Sequence, residues 1–144
     1  MGRSASHLVL ATLQLDQADL KIQELSAADT FETDSRSHAF SQKTLADGSH
    51  LFGLPTVTGS SNGFSAGKSS LNFFKVDTTA KISFMGAIQS GLDSTQCQSS
   101  CADWYGKTRP IFLGDRIFGL IGHEIVELAQ DEARIYETGT RLRF

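Results

Sequence analysis

Two cysteines four positions apart, Cys97 and Cys101, are the sharpest chemical feature of the sequence. Such a pair can close a small disulfide ring, supply two ligands to a metal ion, or act as a redox pair. Structural zinc usually takes four protein ligands, so a metal site here would need His38, His50 or His123 to converge on the cysteines. A redox pair is typically Cys-x-x-Cys at the start of a helix, a setting that this sequence lacks. The pattern favours a disulfide, with inert thiols and a metal or redox pair as the alternatives.

An aromatic pair follows the cysteines in the run Asp103-Trp104-Tyr105. These side chains would stack on a sugar or a peptide if they were exposed, although an aromatic pair that leads into a strand more often covers the core. They lie in a long stretch without apolar periodicity, residues 89–108, which also carries both cysteines. Long connections of this kind are usually functional or tied down, so Asp103, Trp104 and Tyr105 form a candidate ligand-contact loop.

Groups that could perform acid or base chemistry are scattered near turns and form no recognised constellation. The candidates are Asp93, Asp103, Asp115, His123 and Glu124. Asp115 after Gly114 and His123 after Gly122 are more simply turn residues. No Gly-x-Ser-x-Gly nucleophile elbow is present. The sequence therefore predicts no catalytic, cofactor-binding or metal-binding residues, and favours a protein that is not an enzyme.

The run Gly63-Phe-Ser-Ala-Gly-Lys-Ser69 has some features of a phosphate-binding loop. That motif needs four residues between its glycines and a helix after it, whereas this run has three residues and no helical pattern follows. The whole Ser/Gly/Asn stretch, residues 59–70, is therefore interpreted as a flexible connection between strands.

Composition limits the class of protein. The 144 residues are enough for a single domain with one core, and the 40% apolar and 20% charged content is that of a globular protein. The net charge is -3 and the sequence has no Lys/Arg cluster, so it shows no positively charged segment that would bind the phosphates of a nucleic acid. No apolar run reaches the ~20 residues of a membrane-spanning helix. The apolar run at residues 7–13 lacks a cleavage site, so it is interpreted as a strand and not as a signal peptide.

Alternating apolar residues predict strands along most of the chain. Residues 8–25 read as two paired strands, with a helix across 13–25 as the alternative. Asp47-Gly48 is a strong turn signal before a strand at residues 50–54, which Pro55 is expected to close. Further strands are expected at 70–76 and 81–88, separated by a turn cluster at 77–79.

The last third of the chain, residues 109–144, reads as consecutive strands joined by tight turns. Strands at 111–113, 116–121 and 124–128 are separated by Gly114-Asp115 and Gly122-His123, and shorter ones follow at 134–136 and 141–144. About ten short strands without alternating amphipathic helices predict an all-β antiparallel fold. A sandwich, a barrel and the blades of a propeller are the candidate architectures.

Several short motifs between His38 and Glu127 resemble the C-terminal part of bacterial and archaeal secreted β-propeller domain proteins. The motifs are His38-Ala-Phe40, His50-Leu-Phe-Gly-Leu-Pro55, Leu71-Asn-Phe-Phe-Lys-Val-Asp77, Phe84-Met-Gly-Ala-Ile88 and Arg109-Pro-Ile-Phe-Leu-Gly-Asp-Arg-Ile-Phe-Gly-Leu-Ile-Gly122. The resemblance implies propeller-like blades, an extracytoplasmic location, and a non-enzymatic scaffold that binds protein or carbohydrate.

Blade arithmetic adds a further expectation. A blade is a four-stranded sheet of about 40 to 50 residues and a ring takes about four to eight of them, whereas this chain holds about three. We therefore expect a single β domain, residues 1–144, that is the C-terminal piece of a larger propeller or that associates with copies of itself. A small β-sandwich is the alternative fold. The alternative function is part of an enzyme or metal-dependent module whose site other blades or subunits complete.

Overall fold

The computed structural model describes residues 8–14, 19–24, 30–32, 40–60, 63–91 and 108–144, and every regular element in these ranges is a β-strand. The strands, in chain order, are β1 (Val9–Gln14), β2 (Asp19–Glu24), β3 (Thr30–Glu32), β4 (Ser41–Thr44), β5 (His50–Ser60), β6 (Gly63–Val76), β7 (Ile82–Gln89), β8 (Thr108–Leu113), β9 (Arg116–Ile121), β10 (Glu124–Gln130) and β11 (Ile135–Arg143). All strand pairs are antiparallel. The prediction of an all-β antiparallel fold is confirmed.

The strands form three sheets. β1 and β2 make a hairpin, β8 to β11 make a four-stranded sheet in sequential order, and β3, β5, β6 and β7 make a central sheet that β4 joins through β5. In the hairpin, Leu13 lies opposite Leu20. The prediction of two paired strands at the start of the chain is therefore confirmed, and the alternative of a helix across residues 13–25 is wrong for the part of that range described here.

The main core lies between the central sheet and the four-stranded sheet. Because successive side chains of a strand point to opposite faces, alternate residues of each sheet meet in this layer. Two glycines allow a close approach, since a Cβ atom on Gly119 would lie 2.2 Å from Cδ1 of Ile88, and one on Gly53 would lie 3.0 Å from Pro110. The core residues are Leu51, Leu71, Phe73, Met85, Ile88, Ile117, Ile121, Val126, Leu128 and Ile135.

A second core covers the opposite face of the central sheet. Phe52, Leu54, Phe74 and Ile82 are buried there, and the partly buried side chains of Leu8, Leu10 and Val76 pack against them. Four phenylalanine rings cross this face in a row, with centroids 5.5 to 5.7 Å apart: Phe40, Phe52, Phe74 and Phe84. Rings at this separation in tilted arrangements attract one another beyond their hydrophobic burial. The central sheet is thus packed on both faces.

Two predictions about β5 and β6 are wrong. Pro55 does not end a strand but lies inside β5, opposite Leu71. On the other side of β5, β4 pairs only as far as Gly53, and the pairing with β3 begins at Thr56. The proline therefore lies in a gap between these two pairings, where no ladder hydrogen bond is needed. Residues 59–70 are not a flexible connection, because most of this range continues β5 and β6 as a long hairpin.

The predicted turns are confirmed. Gly48 has a φ of 79° between β4 and β5, and the turns after β8 and β9 place Gly114 and Gly122 at φ of 58° and 59°. The carboxylate of Asp47 accepts hydrogen bonds from the hydroxyl and the N–H of Ser49, and the hydroxyl makes the largest contribution to lowering the pKa of this carboxyl.

The end of the chain differs in one respect from the sequence expectation. The two short strands expected at residues 134–136 and 141–144 are one strand, β11. Its register with β10 jumps from Arg141 opposite Val126 to Glu137 opposite Leu128, so three residues of β11 bulge where β10 has one. Gly139, with a φ of 95°, lies in this bulge and supplies the backbone conformation that the irregularity requires.

The expected number of blades is not confirmed. The four-stranded sheet has the up-and-down order of a blade, but the central sheet has five strands and the order β3, β5, β6, β7. Two antiparallel sheets packed face to face are also the arrangement of a β-sandwich, which was the alternative fold.

We expect the Gly86→Ala variant to be much less stable than the Gly139→Ala variant. A Cβ atom on Gly86 would lie 2.6 Å from the backbone oxygen of Ile135 in the facing sheet, whereas one on Gly139 would have nothing within 4 Å. Both positions have positive φ, so both substitutions strain the backbone. Urea denaturation should show a loss of about 1 kcal/mol for Gly139→Ala and about 2 to 4 kcal/mol for Gly86→Ala. Equal losses would show that the sheets are not in contact at this point.

Candidate functional site

The main residues predicted from sequence to have a special role lie outside the described residues. These are the disulfide candidates Cys97 and Cys101 and the ligand-contact candidates Asp103, Trp104 and Tyr105. Both sets of assignments stay predictions. His38 and Asp93 also fall outside the described ranges.

The turn interpretation of Asp115 and His123 is confirmed. Asp115 is fully exposed after β8, with its carboxylate 3.8 Å from Nζ of Lys43, and the same Nζ donates to the carbonyl of Gly114 at 2.7 Å. His123 is exposed in the next turn, with its ring 6.3 Å from the ring of Phe144. Within the described part of the chain, no group of three or more His, Cys, Asp or Glu side chains is placed to hold a metal ion.

Glu124 is the one acid or base candidate that the structure places in an unusual environment. It is the first residue of β10, it points towards the facing sheet, and it is fully buried. Its carboxylate accepts a hydrogen bond from the backbone N–H of Gly91 at 2.9 Å. Nη1 of Arg141 donates to it at 2.6 Å and Nε of Arg143 at 2.7 Å. We call these four residues the Glu124 cluster.

The Glu124 cluster connects the two sheets. Arg141 also donates to the carbonyl of Gln89, the last residue of β7, at 3.2 and 3.3 Å, and to Glu137 at 2.8 Å. The end of β7 is therefore held to β10 and β11 by charge-assisted hydrogen bonds, which are stronger than hydrogen bonds between neutral groups.

Burial of Glu124 opposes its ionisation, but the hydrogen bonds from Gly91, Arg143 and Arg141 outweigh this effect and hold the pKa of the carboxyl below its ordinary value of 4.5. The group is therefore a carboxylate at neutral pH. Both oxygens already accept hydrogen bonds, and two arginines stabilise the charge. A general acid or base has to gain and lose a proton near neutral pH. A carboxylate held in its ionised form by two arginines does not, so this arrangement serves structure and not proton transfer.

A second contact lies beside the Glu124 cluster. The hydroxyls of Ser69 and Thr108 share a buried hydrogen bond of 3.2 Å, and the N–H of Ser90 donates to the carbonyl of Ser69 at 3.2 Å. Gly91, which precedes residues 92–107 in the chain, bonds Glu124, and Thr108, which follows them, bonds Ser69. Both ends of this connection are held by the two packed sheets.

Sequence reasoning considered Glu124 but missed its role. The signal that was available is the spacing of Arg141 and Arg143, which places two cations on the same face of one strand. A glutamate on the neighbouring strand whose side chain faces the core is the expected ion-pair partner for these two arginines.

The fold and this cluster define an all-β protein of antiparallel sheets stacked face to face. Comparison of the chain with family models, with curated proteins and with solved structures finds no match. The resemblance to β-propeller proteins therefore stays a prediction. Among the described residues, no helix has the length and apolar character needed to span a membrane.

We expect Glu124→Gln to destabilise the protein by about 2 to 4 kcal/mol at pH 7, because it removes one partner from a buried ion pair network. Urea denaturation measures this loss. Glu137→Gln is the matched control, since Glu137 also bonds Arg141 but is partly exposed, and its loss should stay below about 1 kcal/mol. A loss for Glu124→Gln no larger than that of the control would contradict the structural role of the cluster.

The contribution of Glu124 should depend on pH. Folding lowers the pKa of this carboxyl, so its stabilising effect is complete above the unfolded value of 4.5 and is lost as the pH falls through the lower folded value. The difference in unfolding free energy between the unsubstituted protein and Glu124→Gln should therefore be constant from pH 6 to pH 7 and shrink in acid. A difference that grows below pH 4.5 would show that the carboxyl has a raised pKa.

Proposed function

We propose that this protein is a non-enzymatic, extracytoplasmic β-scaffold of propeller type, which presents residues 92–107 to a protein or carbohydrate partner. The observation that carries the proposal is the double anchoring of this connection. Gly91 is bonded to the buried carboxylate of Glu124, and Thr108 is bonded to Ser69. A long connection held at both ends by packed sheets is the usual way in which a β-fold carries a binding site.

The composition of the connection supports a binding role. Trp104 and Tyr105 offer large apolar surfaces with a polar tip, and Asp103 adds a hydrogen-bond acceptor beside them. Aromatic rings of this kind stack on the apolar faces of sugars and on peptide side chains. A disulfide between Cys97 and Cys101 would restrict the connection further and lower the entropy lost on binding. Such a disulfide fits an oxidising compartment outside the cytoplasm.

A scaffold is favoured over an enzyme by the way in which the described chemical groups are used. The buried carboxylate of Glu124 is neutralised by arginines, and Asp115 and His123 are exposed turn residues. The propeller part of the proposal is supported by the sequence resemblance and by the up-and-down order of β8 to β11.

Binding is tested with two printed arrays, one of soluble oligosaccharides and one of peptides. We expect the protein to bind on one of them, and Trp104→Ala and Tyr105→Ala each to weaken that binding at least tenfold while the thermal unfolding midpoint is unchanged. Phe84→Ala is the matched control, because Phe84 is an aromatic side chain 54% exposed on the central sheet and outside the connection. Binding that survives both loop substitutions, or no binding on either array, would contradict the proposal.

The cysteines give a separate test of the compartment and of the alternative metal-dependent module. Protein prepared without reductant and unfolded in guanidinium should show no reactive thiol, and two after reduction, because Cys97 and Cys101 are the only cysteines. Elemental analysis of the same sample should find no bound metal. Two free thiols together with a stoichiometric metal ion would overturn the disulfide and favour the metal-dependent alternative.

A further inference from the structure

The outer face of the four-stranded sheet, which points away from the main core, is unusually apolar. Leu113 and Leu142 are 64% and 63% exposed there, and Tyr136 is 42% exposed. Phe118, Leu120 and Ile125 lie between them and are half-buried. We call these six side chains the outer face. Exposed apolar groups scattered singly are normal, but a contiguous set across four strands is typical of a surface that packs against another protein surface.

The strand register shows that three of these six side chains are direct neighbours. Leu120 of β9 lies opposite Ile125 of β10, and Ile125 lies opposite Leu142 of β11, so three aliphatic side chains lie side by side in one row. On the β8 side this row ends in the exposed Arg109, opposite Leu120. In the next row, Phe118 lies opposite Glu127. Each of these two neighbouring rows therefore contains a charged residue, Arg109 on the β8 side of the first and Glu127 on the β10 side of the second.

The two charges beside Phe118 lie on opposite sides of the middle of the sheet. The guanidinium of Arg116 lies 4.8 Å from the centroid of the Phe118 ring, on the β9 side. Glu127 lies on the β10 side and pairs with Arg116 at 2.8 Å. A positive group therefore covers Phe118, and a negative group occupies the position across from it.

We propose that a second copy of this chain packs on the outer face, related by a two-fold axis that runs parallel to the strands between β9 and β10. This rotation places β9 over β10 of the second copy and β8 over its β11, as aligned sheets pack in a sandwich. Leu120 then meets Ile125 of the second copy, and Leu142 meets the apolar stem of Arg109 of the second copy. Phe118 and its Arg116 guanidinium meet Glu127 of the second copy, so opposite charges face each other twice.

The other simple two-fold arrangement is unfavourable. An axis across the strands through the row of Phe118 and Glu127 would place each strand over its own copy. Glu127 would then face Glu127 of the second copy, and two carboxylates in contact repel each other. Charge complementarity therefore selects the axis parallel to the strands.

The size of the outer face predicts the strength of this association. Four strands about 4.8 Å apart and about six residues long cover on the order of 400 Å² per copy. Stable interfaces usually bury about 800 Å² on each partner, so the dimer belongs to the weak, concentration-dependent class. We expect a monomer at low micromolar concentration and a dimer at high concentration.

Sedimentation velocity over about 5 to 500 µM tests the association, because a weak dimer shows a sedimentation coefficient that rises with concentration. Leu142→Lys, which faces Arg109 of the second copy, and Ile125→Glu, which faces Leu120, should each weaken dimerisation at least tenfold. The control is Val9→Glu, which also places a charge at an apolar residue 50% exposed, but on the hairpin away from the outer face. Circular dichroism and thermal unfolding of each variant confirm that it is folded.

A charge exchange tests the axis itself. Arg116→Glu would place two negative charges together in the dimer, and Glu127→Arg would place two positive charges together, so each variant alone should be monomeric at concentrations where the original protein dimerises. An equimolar mixture should restore the dimer, since each contact then joins one Glu to one Arg. The intramolecular pair that is lost is exposed on the Arg116 side and contributes little to stability.

Three results would overturn the proposal. These are a protein that stays monomeric to the highest concentration, a dimer that Leu142→Lys and Ile125→Glu leave unchanged, and a mixture of the two charge variants that stays monomeric. The first result would mean that the outer face does not bind a second copy of the chain. The second would mean that the chain self-associates through another surface. The third would exclude the proposed axis. Binding through residues 92–107 is measured separately on the arrays, and none of these results alters it.

Discussion

An ionised carboxylate can be buried between two sheets only if donors surround it, and the structure around Glu124 meets this requirement with groups from separate parts of the chain. One donor is the backbone at Gly91, just after β7, and the others are Arg141 and Arg143 on the last strand. These bonds fix how β11 pairs with β10. A slip of one residue would turn both arginines to the outer face and Leu142 into the core.

The central sheet has to satisfy two neighbours at once. Alternate residues of β5 and β6 point to the four-stranded sheet on one side and to the hairpin on the other, so Phe73 and Phe74 belong to different cores. This explains why apolar residues follow one another directly, as Leu51 and Phe52 do in β5 and Phe73 and Phe74 do in β6. A substitution in one core should also affect packing in the other, because the same backbone strands carry the side chains of both cores.

Local signals in the sequence were sufficient for much of this architecture. The pairs Gly114-Asp115 and Gly122-His123 mark turns that are only about two residues long, and the strands between them alternate clearly, so the order of β8 to β10 could be predicted. Such signals depend on neighbouring residues alone. They are least affected by the rest of the fold.

The features that sequence reasoning missed depend on partners far along the chain. Residues 59–70 are rich in Ser and Gly, which favour loops, but pairing with the opposite strand of the hairpin overrides this preference. Pro55 is tolerated because neither β4 nor β3 pairs with that position. The role of Glu124 requires groups 17, 19 and 33 residues away, and no local pattern reveals such a combination.

The bulge in β11 has a consequence for how copies of the chain can meet. In the described sheet β11 is an edge strand, and a regular edge exposes an uninterrupted row of backbone groups that can recruit further strands into fibrils. Three residues of β11 opposite one of β10 interrupt that row, and Gly139 bends the strand there. Open-ended polymerisation along this edge is thereby hindered, whereas the dimer proposed for the outer face would close on itself after two copies.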